Sequence, residues 1–214
     1  MKQIKEFIIE KFKINSKNIN NHHYNYFPKN RSELADLVYD LIRERGPEAD
    51  LNDIDVSKVD DMHELFHSNF YVKQFNGDIS KWNVSNVKNM KMMFQKSAFT
   101  GENGDLSKWN VSNVENMNCM FRECSFNGDI SKWNVGNVKD MGSMFSGNKK
   151  FNGDISEWNT HNVEEMSFMF SDSNFTGNID NWDVSNVDRK LYPDGFYGMF
   201  NDYLKKNLPK WYKK

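Results

Sequence analysis

The sequence predicts a repeat solenoid built from short parallel strands and short helical turns, with an N-terminal α-helical cap. The main observation is a set of five tryptophans that recur at spacings of 27, 24, 25 and 24 residues. A fixed period of about 20 to 50 residues is typical of repeat architectures, whose small units bury their apolar faces only by stacking. The recurring residues are Trp82, Trp109, Trp133, Trp158 and Trp182.

Each repeat, called a coil below, contains a similar stretch of residues. Its fullest form is Phe-Asn-Gly-Asp-Ile-Ser-Lys-Trp-Asn-Val-Ser-Asn-Val followed by Met-x-x-Met-Phe, and it is best preserved at 75–94 and 126–145. The alternation in Ile-x-x-Trp-x-Val predicts a short strand, and the spacing in Met-x-x-Met-Phe predicts one helical turn. Residues 51–202 would then form one degenerate coil, in which Ile54 takes the tryptophan position, and five full coils.

Residues 1–50 are predicted to form a helical extension and cap. Residues 3–13 have an amphipathic helical pattern, whereas 14–30 are polar and predict a loop. A stronger helix begins after Asn30, which can cap it with Glu33 three residues later, and Gly46 precedes the proline that ends it. Its apolar face contains Leu34, Leu37, Val38, Leu41 and Ile42.

Charge is unevenly distributed along the chain, although the net charge is only −2. Residues 1–31 carry seven bases and two acids, the region 51–202 carries 14 bases and 22 acids, and the basic aromatic tail 203–214 carries five lysines. Basic ends on an acidic middle fit either an anionic partner or ends that fold back on the middle. The acidic middle disfavours nucleic acid as the partner, although basic and aromatic residues at the ends could bind it.

The sequence contains no pattern for a signal peptide, a lipid anchor or a membrane span. Its two cysteines, Cys119 and Cys124, have neither a metal-binding nor a redox spacing and are too few for a disulfide framework. We therefore expect a cytoplasmic or particle-associated protein.

The repeat resembles the BspA-like leucine-rich-repeat surface-protein family, in its tryptophan-containing variant with repeats of about 25 residues. The resemblance covers roughly residues 50–202 and is carried by the long pattern at 75–94 and 126–145. It implies a right-handed solenoid and a role in adhesion or protein binding, often at a cell surface. The segment from Ile79 to Asn86 is one residue shorter than the usual leucine-rich pattern, so the strand curvature could differ.

One motif has the spacing of a zinc peptidase. His63-Glu64-Leu65-Phe66-His67 matches H-E-x-x-H, which places two zinc-binding histidines on one helical face beside a glutamate base. In alignment with the other coils, however, Leu65 and Phe66 are the Met-Phe core pair. A zincin also needs a long helix and a third ligand, so we expect no catalytic residue, no metal and no cofactor, and keep His63 and His67 as the candidate metal ligands.

Two polar columns are predicted along the stack. Asp78, Asp105, Asp129, Asp154 and Asn178 form the first, and Asn86, Asn113, Asn137, Asn162 and Asn186 form the second. The aspartates could bridge calcium, or each could accept backbone N–H bonds after the glycine turn, and we favour the second alternative. The asparagines are expected to bond to the backbone of neighbouring coils as a structural ladder, beside the tryptophans.

The predicted function is a non-enzymatic protein-interaction or adhesion module. Its contact residues are expected at outward-facing coil positions that differ between coils, namely Lys91, Asn118, Gly142 and Ser167. Two alternatives remain open: a structural or decorating component of a large assembly such as a virus or phage particle, and a zinc peptidase at His63 and His67.

Overall fold

The computed structural model describes residues 18–19, 22–67, 69–188 and 196–212. These contain a two-stranded antiparallel sheet, β1 (Asn18–Ile19) with β2 (His22–His23), and three helices, α1 (Arg31–Arg45), α2 (Phe70–Lys73) and α3 (Asp202–Lys206). The amphipathic helix predicted at 3–13 lies outside the described residues.

The helix predicted after Asn30 is confirmed as α1. The Asn30 side chain accepts a hydrogen bond from the Glu33 N–H at 3.0 Å, and Gly46, at φ 92°, ends the helix by donating to the Ile42 carbonyl. The helix covers the first coil, because Arg31 Nε donates to the His63 carbonyl at 2.8 Å. All five residues of the predicted apolar face are buried: Leu34, Leu37, Val38, Leu41 and Ile42.

The predicted strand-and-helix solenoid is wrong, since the described coils contain isolated parallel bridges but no strands. The segment expected to be a strand consists of consecutive turns: Trp82 N–H donates to the Ile79 carbonyl at 3.1 Å, and Val87 N–H to the Val84 carbonyl at 2.9 Å. Such bonds between residues three apart close turns and cannot extend a sheet. The alternating apolar side chains therefore lie at the corners of turns and point into the core.

The predicted helical turn at Met-x-x-Met-Phe is also wrong. The N–H groups of Met90, Met92 and Phe94 donate to carbonyls of the following coil at 2.8 to 3.0 Å, whereas Met93 N–H donates to Met90 within its own coil. Met92 has a left-handed φ of 56°, which a continuing α-helix does not allow. Some backbone N–H groups of this segment therefore close their own coil, and the others join it to the next coil.

Aromatic side chains fill the core as parallel columns. Phe94 and Phe121 stack in neighbouring coils with ring centroids 5.7 Å apart and planes 3° apart, and Phe94 also stacks at 4.3 Å on Phe99, which follows it five residues later. Stacked aromatic pairs contribute about 0.5–1.5 kcal/mol beyond the burial of their area. One column contains Phe66, Phe94, Phe121, Phe145 and Phe170, and the other contains Phe75, Phe99, Phe126, Phe151 and Phe175.

Candidate interaction surface

The link between the first two coils is longer than the equivalent link in the next coil. Nine positions separate Phe66 from Phe75, whereas five separate Phe94 from Phe99. The extra residues fold as α2, which begins after Asn69, whose side-chain oxygen accepts hydrogen bonds from Tyr71 N–H at 2.9 Å and from Val72 N–H at 3.2 Å. The sequence therefore adds a capped turn that stacking of the coils does not require.

This turn is anchored on one side and exposed on the other. Val72 is buried, and the Lys73 carbonyl accepts a 2.7 Å hydrogen bond from Ala98 N–H of the next coil. In contrast, the side chains of Phe70 and Tyr71 are 73 % and 51 % exposed. Large apolar side chains in such positions commonly mark binding surfaces.

Phe70 and Tyr71 continue into a larger group that also includes Tyr39 and Arg43 of α1, and these four residues are called the aromatic patch. The rings of Tyr39 and Tyr71 meet edge to face at 6.0 Å, and those of Phe70 and Tyr71 at 5.8 Å. The Arg43 guanidinium lies 5.4 Å from the Tyr39 centroid and 5.6 Å from the Tyr71 centroid. These contacts hold the four side chains together, and such an ordered surface would lower the entropy cost of binding another molecule.

The chemistry of the aromatic patch fits protein recognition. Tyrosine, phenylalanine and arginine are enriched in protein interfaces, where they supply apolar area together with hydrogen-bond donors. Phe70 and Tyr71 are not among the contact residues predicted above, although their sequence contains one signal. Two adjacent aromatic residues stand in a link that is longer than its counterpart in the next coil.

The four predicted contact positions differ in exposure. Lys91 is exposed and Asn118 is half-buried, but Gly142 and Ser167 are buried, so the expectation that all four face outward is wrong for these two. The carbonyls of all four accept hydrogen bonds from the preceding coil, for example Gly142 from Cys119 N–H at 2.9 Å. Their role in binding remains a prediction.

The tryptophan and asparagine columns both join neighbouring coils. The buried Trp133 indole donates from Nε1 to the Leu106 carbonyl at 2.9 Å, and the exposed Asn137 donates from Nδ2 to the Ser112 carbonyl at 2.7 Å. Equivalent bonds to the preceding coil are made by Trp82, Trp109, Trp158 and Trp182 and by Asn86, Asn113, Asn162 and Asn186. The two rows tie each coil to its neighbour from inside and outside the core.

The two histidines of the H-E-x-x-H motif have separate partners. His63 Nδ1 lies 2.8 Å from Oδ2 of Asp61, and His67 Nδ1 lies 2.7 Å from the Gln95 carbonyl oxygen. Glu64 adopts a left-handed φ of 55°, so the motif does not continue an α-helix. Within the residues that the structure describes, no three His, Cys, Asp or Glu side chains are grouped to hold a metal ion.

The aspartate column accepts backbone hydrogen bonds, as the favoured alternative predicted. Asp129 Oδ1 accepts from Ser131 N–H at 2.9 Å, and Asp154 Oδ1 accepts from Ser156 N–H at 3.0 Å. These bonds hold the pKa of both carboxyls below the usual range. Asp78, Asp105 and Asn178 make the same bond in their coils.

The two thiols lie in the interior of the stack. Burial raises the pKa of the Cys119 thiol above its usual range and that of Cys124 to about 12. A thiol at such a pKa is almost entirely protonated at neutral pH and is a poor nucleophile. Both cysteines therefore behave as small apolar side chains.

The fold and surface define a class of protein made of stacked sequence repeats with an ordered aromatic patch. The chain matches, over residues 37–125 and 97–211, the family described as Mycoplasma protein of unknown function, DUF285. It belongs to that family, which agrees with the resemblance to BspA-like repeats in general, while its coils lack leucine-rich-repeat geometry. No curated protein and no solved structure matches the chain.

None of the helices in the described part of the chain combines the length and the hydrophobicity needed to cross a membrane.

Proposed function

We propose that this chain is a non-enzymatic protein-interaction module whose contact surface is the aromatic patch. The observation that carries the proposal is the exposure of Phe70 and Tyr71 on a turn that stacking does not require. Selection for folding alone would favour polar residues at these positions. Membership in a repeat family and the resemblance to adhesion-type BspA-like repeats also support a binding role.

The electrostatics of the patch indicate the kind of partner. Arg43 is exposed and always charged, and its guanidinium keeps donors available above the two tyrosine rings. A partner that inserts an apolar or aromatic side chain beside a carboxylate would satisfy both components of the patch. We expect Phe70 to contribute most of the affinity, because its ring has the most area left to bury.

Cross-linking capture with matched variants tests this proposal. The wild-type chain, a Phe70→Ser/Tyr71→Ser variant and a Tyr197→Ser control, which changes an exposed tyrosine near the opposite end of the stack, are immobilised and exposed to lysate of the source organism. We expect one partner to be captured by the wild type and the control but not by the double variant, with cross-links to α1 or α2. Equal capture by the double variant would contradict the proposal.

A further inference from the structure

A polar cleft lies at the other end of the stack, where α3 replaces the regular course of a coil. The exposed ring of Tyr203 lines two adjacent grooves, one of about 640 Å³ and one of about 200 Å³. Ligand pockets in proteins typically enclose about 300 to 1,000 Å³. The two grooves together provide space for an extended ligand rather than for a single ion.

Buried hydrogen bonds fix the floor of the cleft. The side chain of the buried Asn201 donates to the Phe175 carbonyl at 2.7 Å, and its oxygen accepts from Leu204 N–H at 2.8 Å. Asn201 thereby caps α3, and the buried Leu204 anchors the helix next to Tyr203. The Tyr203 ring thus projects from a turn that is held by these contacts, as a preorganised binding site requires.

The rim of the larger groove carries two ion pairs. Lys149 Nζ lies 2.5 Å from Asp172 Oδ1, and Lys205 Nζ lies 3.4 Å from Asp202 Oδ1. Two lysines and two aspartates give this rim no net charge, so it offers no attraction to a polyanion. It does offer charged donors and acceptors side by side, which suits hydroxyl groups that both donate and accept.

We propose that the cleft binds a neutral oligosaccharide. The Tyr203 ring packs against the C–H face of one sugar, because an exposed aromatic face is apolar, while the phenol oxygen at its edge remains hydrated. The rim carboxylates and ammonium groups bind hydroxyls of the sugars on either side. This site is separate from the aromatic patch and does not depend on its role.

An array of neutral cello-, chito-, manno- and xylo-oligosaccharides tests the proposal, followed by titration calorimetry with the best-bound member. Tyr203→Ala should weaken binding roughly tenfold or more. The matched control is Tyr197→Ala, because Tyr197 is 50 % exposed and Tyr203 is 46 % exposed, and it should bind as the wild type does. Thermal melting of both variants should match the wild type, since each side chain is on the surface.

Asp202→Ala provides a second variant, because this carboxylate is exposed and pairs with Lys205 on the same helix. We expect binding several-fold weaker than wild type and, in both proteins, an affinity that changes little with salt, since the ligand carries no charge. Absence of binding across the array, equal loss in Tyr203→Ala and Tyr197→Ala, or binding limited to sulfated glycans with steep salt dependence would each overturn the proposal.

Discussion

The indole of Trp211 donates from Nε1 to the Ile179 carbonyl at 2.6 Å. Trp182 makes the same bond to Ile155 of its preceding coil at 2.9 Å, so Trp211 is a further member of the tryptophan column. The tail thus continues the stack, and its Trp211 ring also packs against Phe196 with centroids 5.0 Å apart.

Replacing Trp211 should therefore destabilise the C-terminal end of the stack. We expect Trp211→Ala to lower the free energy of unfolding by about 2–3 kcal/mol, below the 3–5 kcal/mol of a fully buried tryptophan, because this indole is half-buried. Trp109→Ala, at a buried position of the same column, should cost more. Urea unfolding measures both, and a Trp211→Ala variant as stable as the wild type would show that the tail does not contribute to folding.

Signals contained within a short segment were sufficient to predict α1. Asn30, Glu33 and Gly46 act on their own helix ends, so tertiary contacts do not alter their effect. The membership of the aromatic core was also predictable, because apolar residues recurring with the period of the repeat must face one another when the coils stack.

Turns and strands could not be distinguished by apolar alternation alone. The deciding groups are polar: Asp78 accepts from Ser80 N–H at 2.8 Å and Asn83 from Ser85 N–H at 3.2 Å, and such bonds favour turns. Leu208-Pro-Lys-Trp211 repeats the pattern Ile79-Ser-Lys-Trp82, which would have predicted the additional tryptophan of the column. The aromatic patch depends on contacts between α1 and α2, which no repeat pattern encodes.

A left-handed backbone recurs at a second position of the coils. Lys96 has φ 54°, Glu123 has φ 52° and Asp172 has φ 54°, whereas the equivalent residue Gly147 has φ 69°. At Lys96 and Glu123 the N–H donates to the next coil at 2.9 and 2.8 Å, respectively. This conformation costs a non-glycine residue roughly 1–2 kcal/mol.

Lys96→Gly should therefore stabilise the protein by about 0.5–1 kcal/mol, the relief of strain minus the greater entropy of an unfolded glycine. The loss of the exposed 3.6 Å pair with Glu123 should matter little. Gly147→Ala should do the reverse, because its added Cβ would also meet Glu123 Cγ at 2.9 Å. Chemical denaturation measures the free energy of unfolding of these variants. Lys81→Gly is the control that should be destabilised, because Lys81 does not have a positive φ.

Asp140 carries a carboxyl that the fold disfavours in its charged form. Burial raises its pKa above the usual range, and the charge of Glu165 acts in the same direction. Equivalent positions in two other coils carry the uncharged Asn89 and Asn116. Asparagine should therefore fit here and keep an oxygen that accepts from Gly142 N–H, now at 2.9 Å.

Asp140→Asn is expected to stabilise the protein at neutral pH. With a folded pKa above the unfolded value of 3.8, protonated Asp140 contributes stability below pH 3.8 that is lost as pH rises through the folded pKa. The advantage of the variant should consequently grow over this rise. Urea titrations from pH 3.5 to pH 7 measure it, and parallel curves for the two proteins would refute the expectation.

Asp183 should behave in the opposite way. Hydrogen bonds from Ser185 and then His161 lower its pKa to about 2. Its contribution to stability is therefore present above the unfolded value of 3.8 and is lost as pH falls from 3.8 towards 2. Asp183→Asn introduces the residue type that stands at the equivalent position of the preceding coil, Asn159. The variant protein should be less stable than the wild type at neutral pH and should lack this acid-dependent loss.

Thermal melting at pH 2 to pH 6 separates the two proteins. The difference between the two curves should be constant above about pH 4 and should shrink as pH falls from 3.8 towards 2, because Asp183 becomes protonated over this range. A variant that loses stability in parallel with the wild type over this range would assign the acid response to other carboxyls, such as Asp129 and Asp154, whose pKa values are also lowered.

Phe70 and Val72 allow binding and folding to be separated within one short helix. Phe70→Ser should change the free energy of unfolding by less than about 0.5 kcal/mol, because its ring is mostly exposed. Val72→Ala should cost about 1–3 kcal/mol, because it removes two buried methyl groups beneath the same turn. If Phe70→Ser destabilised the chain as much as Val72→Ala, the ring would serve folding, and its assignment as a contact residue would fail.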